Sequence, residues 1–506
     1  MNGDGAEALR YHLATNHSLT SIRANRHQMV WNNQPRPYKL YENVPEVALP
    51  LPAADSRIPG IEAISTSSVS DSDAQPLTYE MLATLLHYSA GITRTITLHA
   101  GTMKFRAAAC TGALYHIEIY AVTGQLNDLD AGIYQYGAHD DRLRRIRSGD
   151  YRSALQSACG GDESLPLPQA MLIYTSTYWR NSWKYQARAY RHAFWDAGTM
   201  LANTLALASA HEIQSQVLLG FEDDAVNHLL DLDDEREFAI AVVPIGALSA
   251  VKSSPEVSPR LELASLPYSV YEIPEPVIHR MHAASKLRDR ADAGRWSQKR
   301  LAADDRQPIS QGIPLPALDT RSEPIEAVIR RRGSARRFER SAIELDDLSA
   351  ILAASTRGIP ADVLRKDGPS TSSVYVIANA VSGLESGTYV YDPTAHALDQ
   401  LAHGDFRTDA GYLDLGQELA ADAAANIYIL ADLNPALATW GDRGYRVAQL
   451  EASIISGKLY LASYARNLAA TGLTFFDDDV IQFFGPHAHG KSVMFLTAVG
   501  HRARRV

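Results

Sequence analysis

The order of apolar and polar residues along the chain predicts long buried helices combined with sheet strands. Two segments, 190–210 and 445–465, carry Ala, Leu and Ile on nearly every side, which is typical of a helix that is buried all round. Residues 114–122 and 373–381 instead alternate between apolar and polar positions, and that period predicts strands. The pattern therefore predicts the α+β class, with long helices in the core.

The same pattern occurs twice, because the chain aligns with itself at a nearly constant spacing of 255 residues, as between positions 128 and 383. Gly132 and Tyr134 of the first copy align with Gly387 and Tyr389 of the second. The matched segments are 128–136 with 383–391, 190–210 with 445–465, and 221–226 with 475–480. An internal duplication of this length predicts two related domains.

The stretches outside the duplication predict an arm and a linker. Residues 1–55 precede the first copy and are interpreted as an extended arm packed on the surface. Residues 251–320 are rich in proline and contain a charged run, which predicts an exposed helix inside a linker. The two domains are therefore expected at 56–250 and 321–506.

Composition narrows the class of protein without changing this picture. The 506 residues are 46% hydrophobic and 21% charged, which is ordinary for globular domains and argues against disorder. A net charge of -10 leaves no overall basic field to attract nucleic acid or anionic lipid. Two cysteines cannot form a disulfide framework, and the first residues lack a signal-peptide pattern. No apolar run is long enough for a membrane span, so a cytoplasmic protein is expected.

The two copies differ in charge at one place. Segment 61–73 aligns with 325–337, which sets three serines against two arginines and a serine. The aligned pairs are Ser68 with Arg332, Ser70 with Ser334, and Ser72 with Arg336. An Arg-x-Ser-x-Arg array offers bidentate donors and a hydroxyl for a dianionic phosphate.

The chain after the last strand of each copy shows the same difference. Arg502, Arg504 and Arg505 follow Gly500, whereas no cation follows Gly246 directly. The alternative is that both arginine clusters are solvated basic ends. Two losses of charge in the same copy favour the phosphate site.

These segments resemble the nitroreductase-like flavoproteins and, within them, the SagB/ThcOx-type azoline dehydrogenases. Residues 332–338 (RGSARRF) resemble the family's arginine-rich FMN motif, 106–118 (RAAACTGALYHIE) its flavin loop, and 190–198 (YRHAFWDAG) its dimer-core helix. Gly333 stands where a second arginine is usual, Ala109-Cys110 where the family has Pro-Ser, and His116 where it has Pro.

The resemblance implies an intramolecular pseudo-dimer with FMN in the interface between two tandem nitroreductase-like domains. Its phosphate would meet Arg332, Ser334, Arg336 and one of Arg502, Arg504 or Arg505. The ring would lie against Ala109, Cys110, Thr111, Gly112 and Leu114 of the first copy. Arg106 precedes this loop and would hold the flavin or a substrate carboxylate, with a surface salt bridge as the alternative. We expect one FMN per chain, because the mirror-image pocket has lost its cations.

A third difference concerns Lys184 and Tyr185, whose counterparts are Thr439 and Trp440. The pair resembles the Lys-Tyr pair that azoline dehydrogenases use for proton removal. Oxidising an azoline to an azole requires a C–H proton to leave while a hydride passes to the flavin, and a base held away from water suits that step. The resemblance gives Lys184 the role of base and Tyr185 that of relay. The alternative is an exposed lysine beside a half-buried tyrosine.

The resemblance as a whole implies an FMN-dependent oxidase that converts thiazolines or oxazolines to azoles in a peptide or carrier-bound substrate, with oxygen as electron acceptor. A YcaO-type cyclodehydratase would be its partner. The alternatives are another FMN-dependent dehydrogenase or nitro or quinone reductase, and a flavin-free scaffold subunit. No metal is expected, because the acidic runs 221–226 and 475–480 lead into apolar helices and resemble N-caps and partners of the helix dipole. Further association of two chains stays open.

Overall fold

The structure, a computed structural model, describes residues 2–66, 69, 74–98, 101–162, 165–249, 260–302, 312–364 and 370–503. Helices up to residue 249 are α1 (Ala6–Ala14), α2 (Leu19–Ala24), α3 (Gly60–Ser65), α4 (Tyr79–Ala90), α5 (Arg152–Ala158), α6 (Trp179–Tyr185), α7 (Ala189–Ala210) and α8 (Asp223–Leu229). Strands in the same part are β1 (Glu46–Ala48), β2 (Ile92–Leu98), β3 (Gly101–Arg106), β4 (Ile117–Thr123), β5 (Gly132–Gly137), β6 (Arg142–Ser148), β7 (Leu167–Ser176) and β8 (Phe238–Ser249).

The rest of the chain repeats this order after two linker helices. Its helices are α9 (Pro276–Ala284), α10 (Arg290–Ser297), α11 (Ile325–Arg331), α12 (Leu345–Thr356), α13 (Arg407–Leu413), α14 (Glu418–Asp422), α15 (Leu433–Trp440), α16 (Gly444–Ala465) and α17 (Asp477–Phe483). Its strands are β9 (Ile313–Pro314), β10 (Ile343–Glu344), β11 (Ser372–Ala378), β12 (Val381–Ser382), β13 (Gly387–Asp392), β14 (Ala397–His403), β15 (Ala425–Ala431), β16 (Ala469–Leu473) and β17 (Ser492–Gly500).

Each copy builds an antiparallel sheet with the same core order. The first sheet runs β1-β6-β5-β4-β7-β8, and the second runs β16-β17-β15-β11-β13-β14-β9. The strands β6-β5-β4-β7-β8 thus correspond to β14-β13-β11-β15-β17. The α+β class and the duplicated fold expected from the sequence are confirmed. Strands from the arm and the linker extend the sheets, since β1 pairs with β6 and β9 pairs with β14.

The long helices α7 and α16 lie at the centre, where they pack against each other. A Cβ at Gly198 would lie 2.2 Å from Ser453 Oγ, and one at Gly457 would lie 2.6 Å from Ala202 Cβ. The two glycines lie in different copies, and each faces the partner helix. Their missing side chains therefore allow the helices to approach closely.

Two buried ion-pair clusters join the copies reciprocally. Asp223 accepts hydrogen bonds from Arg446 at 2.7 Å and from Arg443 at 2.6 Å. In the other copy, Asp477 accepts hydrogen bonds from Arg191 at 2.6 Å and Arg188 at 2.9 Å. All these groups are buried.

These contacts give the acidic runs 221–226 and 475–480 a role that neither sequence interpretation foresaw. Neither Asp223 nor Asp477 caps its own helix through a side-chain hydrogen bond, since both bind arginines of the other copy. Within the described ranges, no group of three or more His, Cys, Asp or Glu side chains is arranged to hold a metal ion.

The arm and the linker are more deeply packed than the sequence predicts. The arm forms α1 and α2, and Ala8 and Tyr11 are buried instead of lying on the surface. The charged run of the linker does form α10, but Ala293 and Trp296 are buried on one face of it. Short apolar patches within polar segments explain both differences. None of the helices in the described ranges has the length and apolar character needed to cross a bilayer.

Candidate functional site

The arginine segment of the second copy runs alongside the C-terminal tail. The N–H of Glu339 donates to the carbonyl of His501 at 2.9 Å, and the N–H of Ala503 donates to that of Arg337 at 3.2 Å. This pairing places Arg502 opposite Phe338. The two basic clusters that the sequence singled out therefore come together at one edge, while Arg504 and Arg505 lie outside the described residues, as do Ser68, Ser70 and Ser72.

Arg332 is a buried cation that reaches from the second copy into the first. Its Nε donates to the carbonyl oxygen of Ala107 at 2.8 Å, and Nη2 donates to that of Arg106 at 3.1 Å. Burial lowers the pKa of Arg332. No carboxylate in the described part of the chain pairs with it, so a bound anion would supply the missing charge.

Ser334, Arg336 and Arg502 are more open. The hydroxyl of Ser334 lies 3.5 Å from that of Tyr460, and both arginines are exposed. The Arg332 side chain therefore forms the inner end of a basic edge whose other donors face outward.

Three residues near this edge were missed from the sequence. Arg94, on the β2–β3 hairpin of the first copy, has its Nη1 3.8 Å from the position of a Cβ at Gly333. Tyr460 and Tyr464 of α16 lie near Arg332. Arg94 gave no sequence signal, because its approach depends on how the two copies pack.

The loop between β3 and β4 is fixed by Asp196 of α7. The carboxylate accepts hydrogen bonds from the N–H and the hydroxyl of Thr111 at 2.9 and 2.8 Å and from the thiol of Cys110 at 3.0 Å. The Nε2 of His116 lies 2.9 Å from the same carboxylate. One buried side chain thus orients both ends of the loop.

Cys110 and Arg106 face inward. Burial, followed by the nearby Asp196 carboxylate, raises the pKa of the Cys110 thiol. The Arg106 guanidinium is buried and donates to the carbonyl oxygens of Ile117 at 3.1 Å and Pro37 at 2.7 Å. These contacts make Arg106 a support for the loop, with its side-chain donors directed at the main chain.

The loop backbone is in the left-handed region at Gly112, Ala113 and Tyr115, with φ of 63°, 55° and 50°. Such conformations in residues other than glycine cluster at functional sites. A Cβ at Gly112 would lie 2.7 Å from the hydroxyl of Tyr185. Glycine therefore lets the loop lie directly against Tyr185.

Lys184 and Tyr185 end α6 beside this loop, and both are half-buried. The ammonium of Lys184 lies 5.1 Å from the centroid of the Tyr185 ring. Within the described residues, no carboxylate is within ion-pair distance of Lys184. Burial raises the pKa of Tyr185, the Asp196 and Cys110 groups act in the same direction, and the charge of Arg336 opposes them. The charge of Arg336, in the second copy, therefore acts on the hydroxyl of Tyr185 in the first copy.

An aromatic wall continues outward from the loop. It consists of Leu114, Trp179, Trp183 and Tyr268, and Met29 and Tyr185 pack against it. Trp179 donates its indole N–H to the Ser269 hydroxyl at 2.8 Å. Leu114, predicted from the sequence to line the ring, belongs to this wall.

The mirror-image place in the molecule has a similar frame but a different charge. Glu451 occupies the position of Asp196 and accepts hydrogen bonds from Ser370 Oγ at 2.6 Å and the Thr371 N–H at 2.9 Å. A cavity of about 600 Å³ lies between the copies, and its lining includes Val69 and Leu248. These two residues align with Gly333 and Arg502. No residue lining this cavity in the described ranges is charged.

The residues around Arg332 fit the chemistry of FMN. A buried guanidinium without a carboxylate partner, a serine and two exposed arginines form a donor set for a phosphate dianion. The small-residue loop of the other copy lies at the inner end of this edge, since Arg332 binds the carbonyls of Arg106 and Ala107. The basic edge and the loop thus come from different copies and meet at Arg332.

Known proteins share this architecture. The crystal structure of a nitroreductase-type protein from Anabaena variabilis matches with a TM-score of 0.74 and 25% identity, covering 98% of this chain and 99% of that chain. The microcin B17-processing protein McbC of Escherichia coli is 29% identical over 127 residues, 24% of this chain and 47% of McbC. The trifolitoxin-processing protein TfxB of Rhizobium leguminosarum bv. trifolii is 28% identical over 172 residues, 33% of this chain and 46% of TfxB. The chain thus spans less than half the length of these two relatives.

The model of the Nitroreductase family matches residues 66–247 and 329–501. Both segments lie inside the two domains predicted from the internal repeat. Together they cover more than half of the chain. The resemblance seen in the sequence is thereby confirmed, and the chain belongs to the nitroreductase family as two tandem nitroreductase domains.

Proposed function

We propose that this protein is an FMN-dependent dehydrogenase that oxidises azoline rings to azoles in a peptide substrate. The observation that carries the proposal is the contact between the copies, where Arg332 binds the start of the loop that lies against Tyr185. A cyclodehydratase is the class of partner that would supply the azoline. The similarity to McbC and TfxB, which process microcin B17 and trifolitoxin, supports a peptide substrate.

FMN would be held by residues from both copies. Arg332, Ser334, Arg336 and Arg502 would bind its phosphate, and Arg94 adds a further cation from the first copy. Residues 109–114 would line the ring. We propose one FMN per chain, because no charged side chain lines the mirror-image cavity in the described residues. When bound, FMN supplies a two-electron acceptor that oxygen can reoxidise to give hydrogen peroxide.

The residues of the chain supply the proton chemistry. Lys184, at the end of α6 beside the loop, would take the proton from the azoline carbon. The hydroxyl of Tyr185, which lies against Gly112, would orient the ring or pass the proton on. The aromatic wall would keep water from the reacting carbon, which strengthens these interactions.

The first test is the flavin content of the purified protein. We expect a flavin absorption spectrum with one FMN per chain, and loss of most of the flavin in Arg332→Ala. The control is Arg337→Ala, which removes an exposed arginine five positions further along the same segment. A colourless protein would favour the scaffold alternative, and two flavins per chain would contradict the single site.

The second test separates azoline oxidation from general flavin chemistry. A thiazoline-containing peptide should lose two mass units on conversion to the thiazole, followed by mass spectrometry. Lys184→Ala should lower this rate at least a hundredfold while its flavin is still reduced by dithionite and reoxidised by oxygen. Lys299→Ala, an exposed lysine of the linker, is the matched control. Unchanged oxidation in Lys184→Ala would overturn the role of the lysine.

A further inference from the structure

The outer face of the arm carries an unusual combination of exposed apolar and basic side chains. Ile22, Val30 and Trp31 are 38%, 44% and 66% exposed. A facing strip of the linker adds Val270, Tyr271 and Ile273, which are 84%, 48% and 51% exposed. We call these six residues, with Arg23 and Arg26, the arm surface.

The two parts of the arm surface are joined by hydrogen bonds. The side-chain amide of Asn33 donates to the carbonyl oxygen of Tyr271 at 3.0 Å, and the N–H of Tyr271 donates to Asn33 Oδ1 at 3.1 Å. These hydrogen bonds hold the linker strip against the arm close to Trp31. Exposed apolar residues that cluster mark interaction sites, whereas exposed apolar residues that stand singly are ordinary surface.

The arm surface lies directly outside the wall of the candidate active site. Trp31 packs edge-on against Trp183, with ring centroids 5.5 Å apart, and the Trp183 indole donates to the carbonyl oxygen of Val30 at 3.3 Å. The Nε2 of His27 lies 2.9 Å from the carbonyl oxygen of Trp183, one residue before Lys184. Asn25 donates to Gln186 Oε1 at 3.0 Å, just after Tyr185. A chain lying on this surface would thus end near the Lys-Tyr pair.

The middle of the arm is basic, although acidic residues near its two ends make residues 1–55 neutral as a whole. Between Glu7 and Glu42 the sequence contains five Lys and Arg residues and no Asp or Glu, in a chain of net charge -10. Arg23 and Arg26 are exposed and have no carboxylate partner among the described residues. On the facing strip, Glu272 forms an ion pair with Arg236. The carboxyl group of Glu275 lies close enough to His27 for the two to interact electrostatically. Two cations therefore stay uncompensated beside an apolar face.

We propose that the arm surface binds an acidic and apolar segment of the substrate peptide, next to the ring that is presented to Lys184. This inference rests on the proposed function for the identity of the peptide. Carboxylates of the segment would lie near Arg23 and Arg26, and its apolar side chains would cover Trp31 and the linker strip. Such a surface holds the peptide while successive rings reach the pocket.

A binding experiment that needs no catalysis tests this proposal. The probe is a fluorescein-labelled peptide of about twelve residues in which Glu alternates with Leu or Gly, and a second probe has Lys in place of Glu. We expect the flavin-loaded full chain to bind the acidic probe in a salt-sensitive manner and to bind the basic probe at least tenfold more weakly. Equal binding of the two probes would overturn the proposal.

Variants localise the binding. The double variant Arg23→Glu/Arg26→Glu should weaken binding of the acidic probe about tenfold, as should Trp31→Ala. Lys299→Glu/Arg300→Glu makes the same change of charge at two exposed residues just after α10 and should bind as the wild type does. In turnover, Arg23→Glu/Arg26→Glu should raise KM for a long acidic azoline peptide and leave kcat/KM for a short azoline amide unchanged.

The outcomes keep this proposal separate from the proposed function. Charge-selective binding without azoline oxidation would leave the arm surface standing and reject the reaction. Azoline oxidation that the arm variants do not affect would support the reaction and reject the arm surface as a binding site. Dimers in sedimentation that Arg23→Glu/Arg26→Glu dissociates, together with no probe binding, would show that the face joins two copies of the chain and would overturn the peptide assignment.

Discussion

Asp196 shows how one buried side chain can determine the shape of a binding loop. It accepts hydrogen bonds from Cys110 and Thr111 and contacts His116, so one side chain orients both ends of the loop next to Tyr185. Glu451 has the same relation to the loop of the other copy, where Ser370 and Thr371 donate to it. The duplication therefore provides an internal control for this residue.

We expect Asp196→Asn to weaken FMN binding at least tenfold. The amide NH2 group of asparagine is a donor, and it would face the donors of the loop from which the carboxylate now accepts hydrogen bonds. The lost hydrogen bonds cost about 1–3 kcal/mol, which corresponds to this change in affinity. Flavin dissociation followed by fluorescence measures it. Glu451→Gln, in the frame of the mirror-image cavity, should leave the flavin affinity unchanged. Equal losses in both variants would mean that the two pockets are not distinct.

The sequence identifies residues whose signal is a difference between the copies. Arg332, Ser334, Arg336 and Arg502 could be found in this way, and the structure brings them to one edge. Arg94 could not, because its proximity arises from the packing of a hairpin against the other copy. The sequence also could not predict that Arg106 points inward, since this direction depends on a hydrogen bond to the carbonyl oxygen of Pro37 in the arm.

At the scale of the elements, long and strongly periodic segments are predicted well and short ones are not. The sequence places α7 and α16 correctly, because more than five turns of apolar residues leave one interpretation. Helices α1 and α2 have 9 and 6 residues, and isolated helices of that length are marginal. Their formation depends on tertiary contacts such as the burial of Ala8 and Tyr11.

The crossing of α7 and α16 depends on Gly457, where an added Cβ would already lie 2.6 Å from Ala202 Cβ. We expect Gly457→Val to lower the free energy of unfolding by about 3 kcal/mol, the upper end for overpacking a core, because neither helix can move without disturbing both sheets. Denaturant unfolding measures the change. Ala283→Val, on the exposed side of α9, is the control and should change the stability by less than about 0.5 kcal/mol.

For the whole molecule, the pairing of the two copies is a condition of the proposed function as well as of stability. The proposed site takes Arg332 and Arg336 from one copy and the loop, Lys184 and Tyr185 from the other. Neither copy alone could hold the cofactor and the base together. The reciprocal clusters around Asp223 and Asp477 are among the contacts that hold the two copies, and with them the proposed site, together.

These clusters make the free energy of unfolding depend on pH in the acidic range. Burial alone would raise the pKa of Asp477, but Arg188 and Arg191 outweigh it and the pKa falls from 3.8 to about 2. The pKa of Asp223 is also lowered, since Arg443 and Arg446 outweigh its burial. A lowered pKa contributes stability that is complete above the unfolded value and is lost as the pH falls through the folded value. For Asp477 alone the contribution is about 2 kcal/mol, lost between about pH 4 and pH 2.

We therefore expect Asp477→Asn to lower the free energy of unfolding at pH 7 by about 3–5 kcal/mol, because it leaves two buried arginines without a counter-charge. Its stability should also fall less steeply than that of the wild type between pH 4 and pH 2. Denaturant unfolding at several pH values measures both effects. Asp478→Asn, at the exposed neighbouring carboxylate, should follow the wild-type profile. If Asp477→Asn were as stable as the wild type and had the same pH profile, the arginine contacts would not hold the copies together, and FMN content should then also be unaffected by the substitution.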